Sequence, residues 1–313
     1  MKRLKIKKII RNNEFINIIN EINICLEHYS IPLKENKVVV GFSGGKDSVV
    51  LSIVLSLSGF NVIPVYVDII HDNNYHKYIN GLFSEFNIFP VIINITDNDP
   101  KNYYSLVEMH YKKMLKKDSI PCTHCSQIRR ILLNQYAIEN NIQYVCYAHH
   151  FNDFAVTILK DYFIEQYYKT VGYYIEEQFV FFVHNHHIDI DFLKELVLKK
   201  RASTMGIKNK MKSKIMLIRP MFNVEELSII NLIKLLGIQI KSKRCALLNE
   251  SSIKMSKRDI VYEYVKDRFM QNQLFKKEIC KIMLESLTFD GFVKFNPRGN
   301  RHLNLPHLEK GLN

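Results

Sequence analysis

Ser43-Gly44-Gly45-Lys46-Asp47-Ser48 is the stretch of this chain best suited to hold a phosphate. Adjacent glycines let backbone N–H groups come close to an anion, and a lysine beside them supplies a cation. Asp47 directly after Lys46 excludes the Walker A loop, which needs Ser or Thr at that position. A second group carries sulfur. Pro121-Cys122-Thr123-His124-Cys125 sets two thiols within reach of one metal centre, and Cys245 stands alone after Lys243 and Arg244, a setting that favours thiolate. Taken by itself the pair is open between zinc, a redox couple and a cluster. A zinc site would want a fourth ligand. A thioredoxin-type pair would open a helix after a strand, whereas this one follows a lysine-rich loop. A third group is Ala148-His149-His150-Phe151-Asn152-Asp153, two imidazoles and a carboxylate in six residues.

These groups need elements to position them. Val38-Val39-Val40 is the β-branched run of a buried parallel strand and leads straight into the glycines. The pattern predicts strands over 37–41, 61–68, 90–95, 143–148 and 215–218, the last running into Arg219-Pro220. Between them it predicts helices over 46–58, 75–86, 103–117 and 125–140, with an amphipathic helix over 12–28 ahead of the first strand. Alternation of this kind specifies an α/β fold, a doubly wound parallel sheet. Such sheets bind ligands at the carboxyl ends of their strands, where the Ser43–Ser48 and Ala148–Asp153 stretches fall. Residues 160–200 break the rhythm: they are rich in aromatics and read as an insertion, with His184, His186 and His187 as surface residues. The expected organisation is an N-terminal helical segment (1–36), an α/β domain (37–240) that carries the phosphate loop and that insertion, and a C-terminal helical region with a tail (241–313).

The loop, in its strand–loop–helix context, resembles the PP-loop of ATP pyrophosphatases, which cleave ATP to AMP and pyrophosphate while adenylating a substrate. The resemblance implies nucleotide contacts from Ser43, Gly44, Gly45, Lys46, Asp47 and Ser48, with adenine against the end of the next strand at Val67 and Asp68, and His149 closing the site. The order PP-loop, CxxC with paired arginines (Arg129, Arg130), His-His-x-x-Asp, Arg-Pro and one later Cys is similar to the TtcA family of tRNA thiolases. The likeness covers roughly residues 15–255. Members install 2-thiocytidine in the anticodon loop with a [4Fe–4S] cluster on three cysteines. Carried over, the ligands are Cys122, Cys125 and Cys245. Three ligands would leave one iron open to hydrosulfide, where most such clusters take four. The likeness further implies ATP with Mg2+, catalytic roles for Asp47, Asp153 and Arg129, and a sulfur donor such as a cysteine desulfurase; a homodimer is left open. Ala148, Phe151 and Asn152 depart from the family's Gly-His-His-Arg-Asp-Asp, and Leu248 stands where the family has a further cysteine.

Charge and cysteine usage agree with an RNA partner inside a cell. The net charge is +13, and position matters more than the total. Lys199, Lys200, Arg201, Lys208, Lys210, Lys212 and Lys214 follow one another with no acidic residue between them, and Lys241, Lys243 and Arg244 form another cluster. The spacing of the six cysteines is not that of a secreted disulfide framework. Cys25, Cys146 and Cys280 lie in apolar patterns and read as core residues. No apolar run approaches the roughly 18 residues that a membrane span needs, and the basic N-terminus lacks a signal-peptide pattern. No membrane partner and a cytoplasmic location are the expectations.

Overall fold

The computed structural model describes residues 2–28, 30–69, 73–95, 110, 112, 121–199, 208–210, 215–241 and 257–289. Cys245, Lys243, Arg244 and all but residues 110 and 112 of the helix expected at 103–117 lie outside that set, as do Lys212 and Lys214. The chain forms two compact units, residues 1–151 with 207–253 and residues 152–206 with 254–313.

The first unit is built on a six-stranded sheet. Its strands are β1 (Lys37–Phe42), β2 (Asn61–Asp68), β3 (Val91–Asn94), β4 (Tyr144–Cys146), β5 (Lys208–Lys210) and β6 (Met216–Ile218), in the order β3-β2-β1-β4-β6-β5. All neighbours pair in parallel except β5, which runs antiparallel along β6 with Lys208 opposite Ile218. The order reverses at β1, which pairs with β2 on one side and β4 on the other. A crevice between diverging loops forms at such a switch point.

Strand alternation decides which helices lie on which face. Val38, Val40 and Phe42 turn into one core with helices α1 (Lys2–Ile10), α2 (Asn13–His28), α3 (Lys46–Leu57) and α4 (Asn73–Phe83). Val39 turns to the other face, where Ile128, Leu132 and Leu133 of α5 (Pro121–Glu139) cover the sheet. The expected doubly wound architecture is therefore present. Strand β5 was not expected. Its Lys-Asn-Lys sequence has little strand propensity, yet a short lysine-bearing strand is a common way to blunt a sheet edge.

The second unit is helical. It contains most of α6 (Phe151–Val171), α7 (Glu176–Asn185), α8 (Ile190–Lys199), α10 (Lys257–Gln271) and α11 (Gln273–Phe289); α9 (Glu226–Leu236) belongs to the first. The aromatic run read as an insertion forms this unit's core: Tyr162, Phe163 and Tyr167 are fully buried. Tyr167 takes edge contacts from Phe179 and Phe182, and Phe163 meets Tyr264 of α10 edge-on. The surface reading holds for His184 and His187 but not for His186, which is half-buried, stacks on Phe182 at 4.3 Å and lies 3.3 Å from the Tyr162 hydroxyl.

Candidate active site

Between β1 and α3 the loop folds on itself. Gly44 has φ +79°, a left-handed conformation that disfavours side chains, and a Cβ there would collide with the Tyr75 hydroxyl. The Ser48 hydroxyl accepts a hydrogen bond from the Ser43 N–H at 3.2 Å and donates to the Gly45 carbonyl at 3.0 Å. Tyr75 of α4 donates to the Ser43 carbonyl at 2.9 Å, and Tyr78 to the Gly44 carbonyl at 3.4 Å. Gly45 sits at the N-cap of α3 and brings no side chain to the helix end. The first N–H groups of a twelve-residue helix thus face the crevice without a capping side chain, a ready anion site.

Charged groups gather beside that helix end. The Lys46 ammonium lies 3.0 Å from Asp47 Oδ1 and 2.9 Å from Glu226 Oε1, the latter carboxylate coming from the first turn of α9. Burial works against the lysine's charge, but the two carboxylates outweigh it and raise its pKa above the ordinary value. His150, buried at the end of the β4 segment, brings Nε2 to 3.6 Å from Asp47 Oδ1. That oxygen is itself buried; the lysine's hydrogen bond goes to Oδ2, and Oδ1 is engaged by ion pairing alone. The two expected stretches therefore meet at the switch point.

Around this centre the remaining expected residues divide. Asp68 is fully buried at the end of β2 and pairs with His76 Nε2 at 2.6 Å. Val67 packs in the core and pairs within the sheet, opposite Ile93 of β3. His149 is half-buried with its ring 6.0 Å from Tyr147. Asp153 opens the second unit and meets Arg258 at 2.6 Å. Helix α5 starts at Pro121, four residues earlier than expected, so Cys122 and Cys125 lie in its opening turn and not at the end of a loop. A spacing of three puts the two positions next to one another on one helical face. Cys125 is half-buried against the core, and Arg129, four residues on, is exposed. Cys25 and Cys146 are buried as expected, whereas Cys280 of α11, also expected in the core, is only half-buried; desolvation pushes Cys25 up to about 12 and Cys146 higher still.

Sequence reasoning missed four contributors: Tyr75, Tyr78, His76 and Glu226. An acidic residue in the first turn of a helix is ordinary dipole compensation, so nothing local marks Glu226. Arg219 was noted only as part of Arg-Pro. It is buried, and desolvation together with the charge of Arg130 lowers its pKa to about 10. Burial lifts neighbouring Tyr147 to about 12 against the pull of those two arginines.

A family model for the PP-loop domain matches residues 16–243. The chain belongs to the PP-loop family. A probable sulfurtransferase of Methanocaldococcus jannaschii is 32% identical over 136 residues, 40% of this chain and 39% of that protein. A tRNA-5-methyluridine(54) 2-sulfurtransferase of Pyrococcus horikoshii is 21% identical over 45% of this chain and 44% of its own. A tRNA-cytidine(32) 2-sulfurtransferase of Geotalea daltonii is 26% identical over 50% and 60%. The chain spans about half the length of the curated relatives it matches. Among solved structures, the U34-tRNA thiolase NcsA from Methanococcus maripaludis, described with its [4Fe-4S] cluster, superposes with a TM-score of 0.56 at 18% identity. That match covers 88% of this chain and 78% of NcsA, and shows that the two share a fold. No helix among the described residues is long and apolar enough to cross a membrane.

Proposed function

We propose that this PP-loop protein is a tRNA sulfurtransferase that activates the C2 oxygen of a pyrimidine with ATP and replaces it with sulfur. The observation that carries the reading is the switch-point constellation, in which an anion-binding helix start, Lys46, Asp47 and His150 converge beside a strand whose neighbour leads to the histidine pair. Supporting it are the sulfurtransferase names of the relatives. The pyrimidine C2 oxygen is a poor leaving group. It attacks the α-phosphorus of ATP, pyrophosphate departs, sulfide adds at C2, and the C–O bond breaks so that AMP carries the oxygen away.

In this reading the loop N–H groups and Lys46 hold the phosphates and offset charge on the departing pyrophosphate. Asp47 Oδ1, a buried oxygen held by ion pairing with Lys46 at 3.0 Å, is suited to Mg2+ once that lysine turns to phosphate. Asp153 is assigned to magnesium or proton handling, His149 and the end of β2 to the nucleotide, and Arg129 to balancing charge near the thiolates. The donor set fits a [4Fe–4S] cluster on Cys122, Cys125 and Cys245. The first two occupy adjacent positions at the start of α5 with Cys125 partly shielded from water, and Cys245 lies outside the described residues. When bound, such a cluster supplies a site for activating sulfide, delivered by a donor such as a cysteine desulfurase. The basic clusters at 199–214 and 241–244 would neutralise tRNA phosphates.

Cytidine is the finer reading of the base. Nucleoside mass spectrometry of tRNA from cells lacking the gene tests it. Loss of 2-thiocytidine is the expected result; loss of a 2-thiouridine instead would keep the reaction and change the base. An unaltered thionucleoside profile would refute the reading.

A further inference from the structure

Glu226 lies 180 residues from Lys46 in the chain, yet its Oε1 is 2.9 Å from the Lys46 ammonium. Only 11% of the Glu226 side chain is exposed, against 30% for Lys46. A carboxylate buried to that degree is tolerable because the ammonium compensates it. The lysine has three N–H donors and meets two carboxylates, Asp47 at 3.0 Å and 3.2 Å to its two oxygens and Glu226 at 2.9 Å. The Lys46–Asp47–Glu226 group is therefore net negative beside a helix end built for an anion. A polyphosphate cannot gain full use of Lys46 while both carboxylates keep it. Asp47 follows Lys46 in the same helical turn and moves with it. Glu226 sits on α9, a separate element packed on the same core, and is the partner that can be exchanged.

We infer that Glu226 is a positioning residue for the phosphate site: it holds the Lys46 ammonium at the loop in the empty protein and yields it to the incoming polyphosphate. The inference rests on the ATP reading above. It means that nucleotide affinity is set partly by competition between Glu226 and phosphate oxygens for one cation. Glu226 also stands near the departing pyrophosphate and, by retaking Lys46, favours its release.

The test is calorimetric titration of the full chain with magnesium pyrophosphate, on the parent, Glu226→Gln and Glu226→Asp. Gln keeps the shape and removes the charge; Asp keeps the charge and is one methylene too short for the contact. Both variants should bind pyrophosphate about fivefold more tightly than the parent, with slower release. If Glu226 acts only as a nearby negative charge, Glu226→Asp will match the parent, and the inference is overturned. Unchanged or weaker binding by both variants overturns it as well. Should Glu226→Gln fail to fold, Glu226→Asp alone decides between tighter and unchanged binding. A parent that binds no pyrophosphate removes the ATP reading itself, a different failure from equal binding by parent and variants.

Discussion

The phosphate loop and the cysteine pair both occupy the start of a helix, α3 for one and α5 for the other, but they are completed in opposite ways. The loop is braced within six residues by Ser43 and Ser48, with Tyr75 and Tyr78 clamping its carbonyls from α4. The cysteine pair supplies two positions in one helical turn, and the third cysteine assigned to it lies 120 residues further on. Local bracing gives a site that survives changes elsewhere. A site completed from a distant segment depends on how the whole chain closes. The two should therefore fail independently.

The largest separations come from single substitutions at the two helix starts. Gly44→Ala forces a side chain into the Tyr75 hydroxyl and a left-handed backbone, so ATP-dependent turnover should fall at least a hundredfold. Asp47→Ala should do the same by removing the half-buried carboxylate assigned to Mg2+, a loss on the order of 10²–10³. In both, iron content after anaerobic purification should stay at the parental value. Cys125→Ala should reverse the pattern: iron is lost, while magnesium pyrophosphate binds as before. If the loop variants lose iron too, the independence of the two ends is wrong.

A middle-sized effect comes from the buried pair at the end of β2. His76→Ala strips Asp68, which is 0% exposed, of its imidazole at 2.6 Å. Removing one partner of a buried charge pair costs up to about 3 kcal/mol, read as a shift in the urea midpoint at constant slope. A variant as stable as the parent would mean that Asp68 finds other support. Tyr75→Phe is smaller again. It removes one hydrogen bond to the Ser43 carbonyl, worth about 1 kcal/mol, and should weaken pyrophosphate binding about fivefold without touching iron.

What was legible follows the same division. Strand β2 was expected over 61–68 and is found there, because a β-branched run bounded by Gly59 and a polar end is a local signal. The phosphate loop was legible for the same reason. The start of α5 was misplaced because Thr and Cys are poor helix formers, although Pro121 at the first helical position was the available clue. Glu226, Tyr75 and His76 were invisible since each acts through a partner that only the fold brings near. The aromatic run at 160–200 read as an interruption because its apolar residues pack all round into a second core, so the pattern lacks one polar face.

An effect seen only at alkaline pH separates core thiols from the assigned ligands. Burial raises Cys25 from its ordinary 9.0 to about 12 in the folded chain. The folded state resists ionising it, so stability is retained below about pH 9 and falls as pH rises toward 12, by about 1.4 kcal/mol at pH 10 for this thiol. Cys25→Ala should flatten that part of the stability–pH curve; an unchanged slope would mean that the thiol is not shielded as described.

ATP-dependent thiolation is read out by following both products in one reaction. Anaerobically purified protein with unmodified tRNA, sulfide and ATP labelled at the α-phosphate should form AMP and a 2-thiopyrimidine nucleoside in equal amounts, and neither when tRNA is omitted. Formation of ADP, or of AMP without any thionucleoside, would contradict the account.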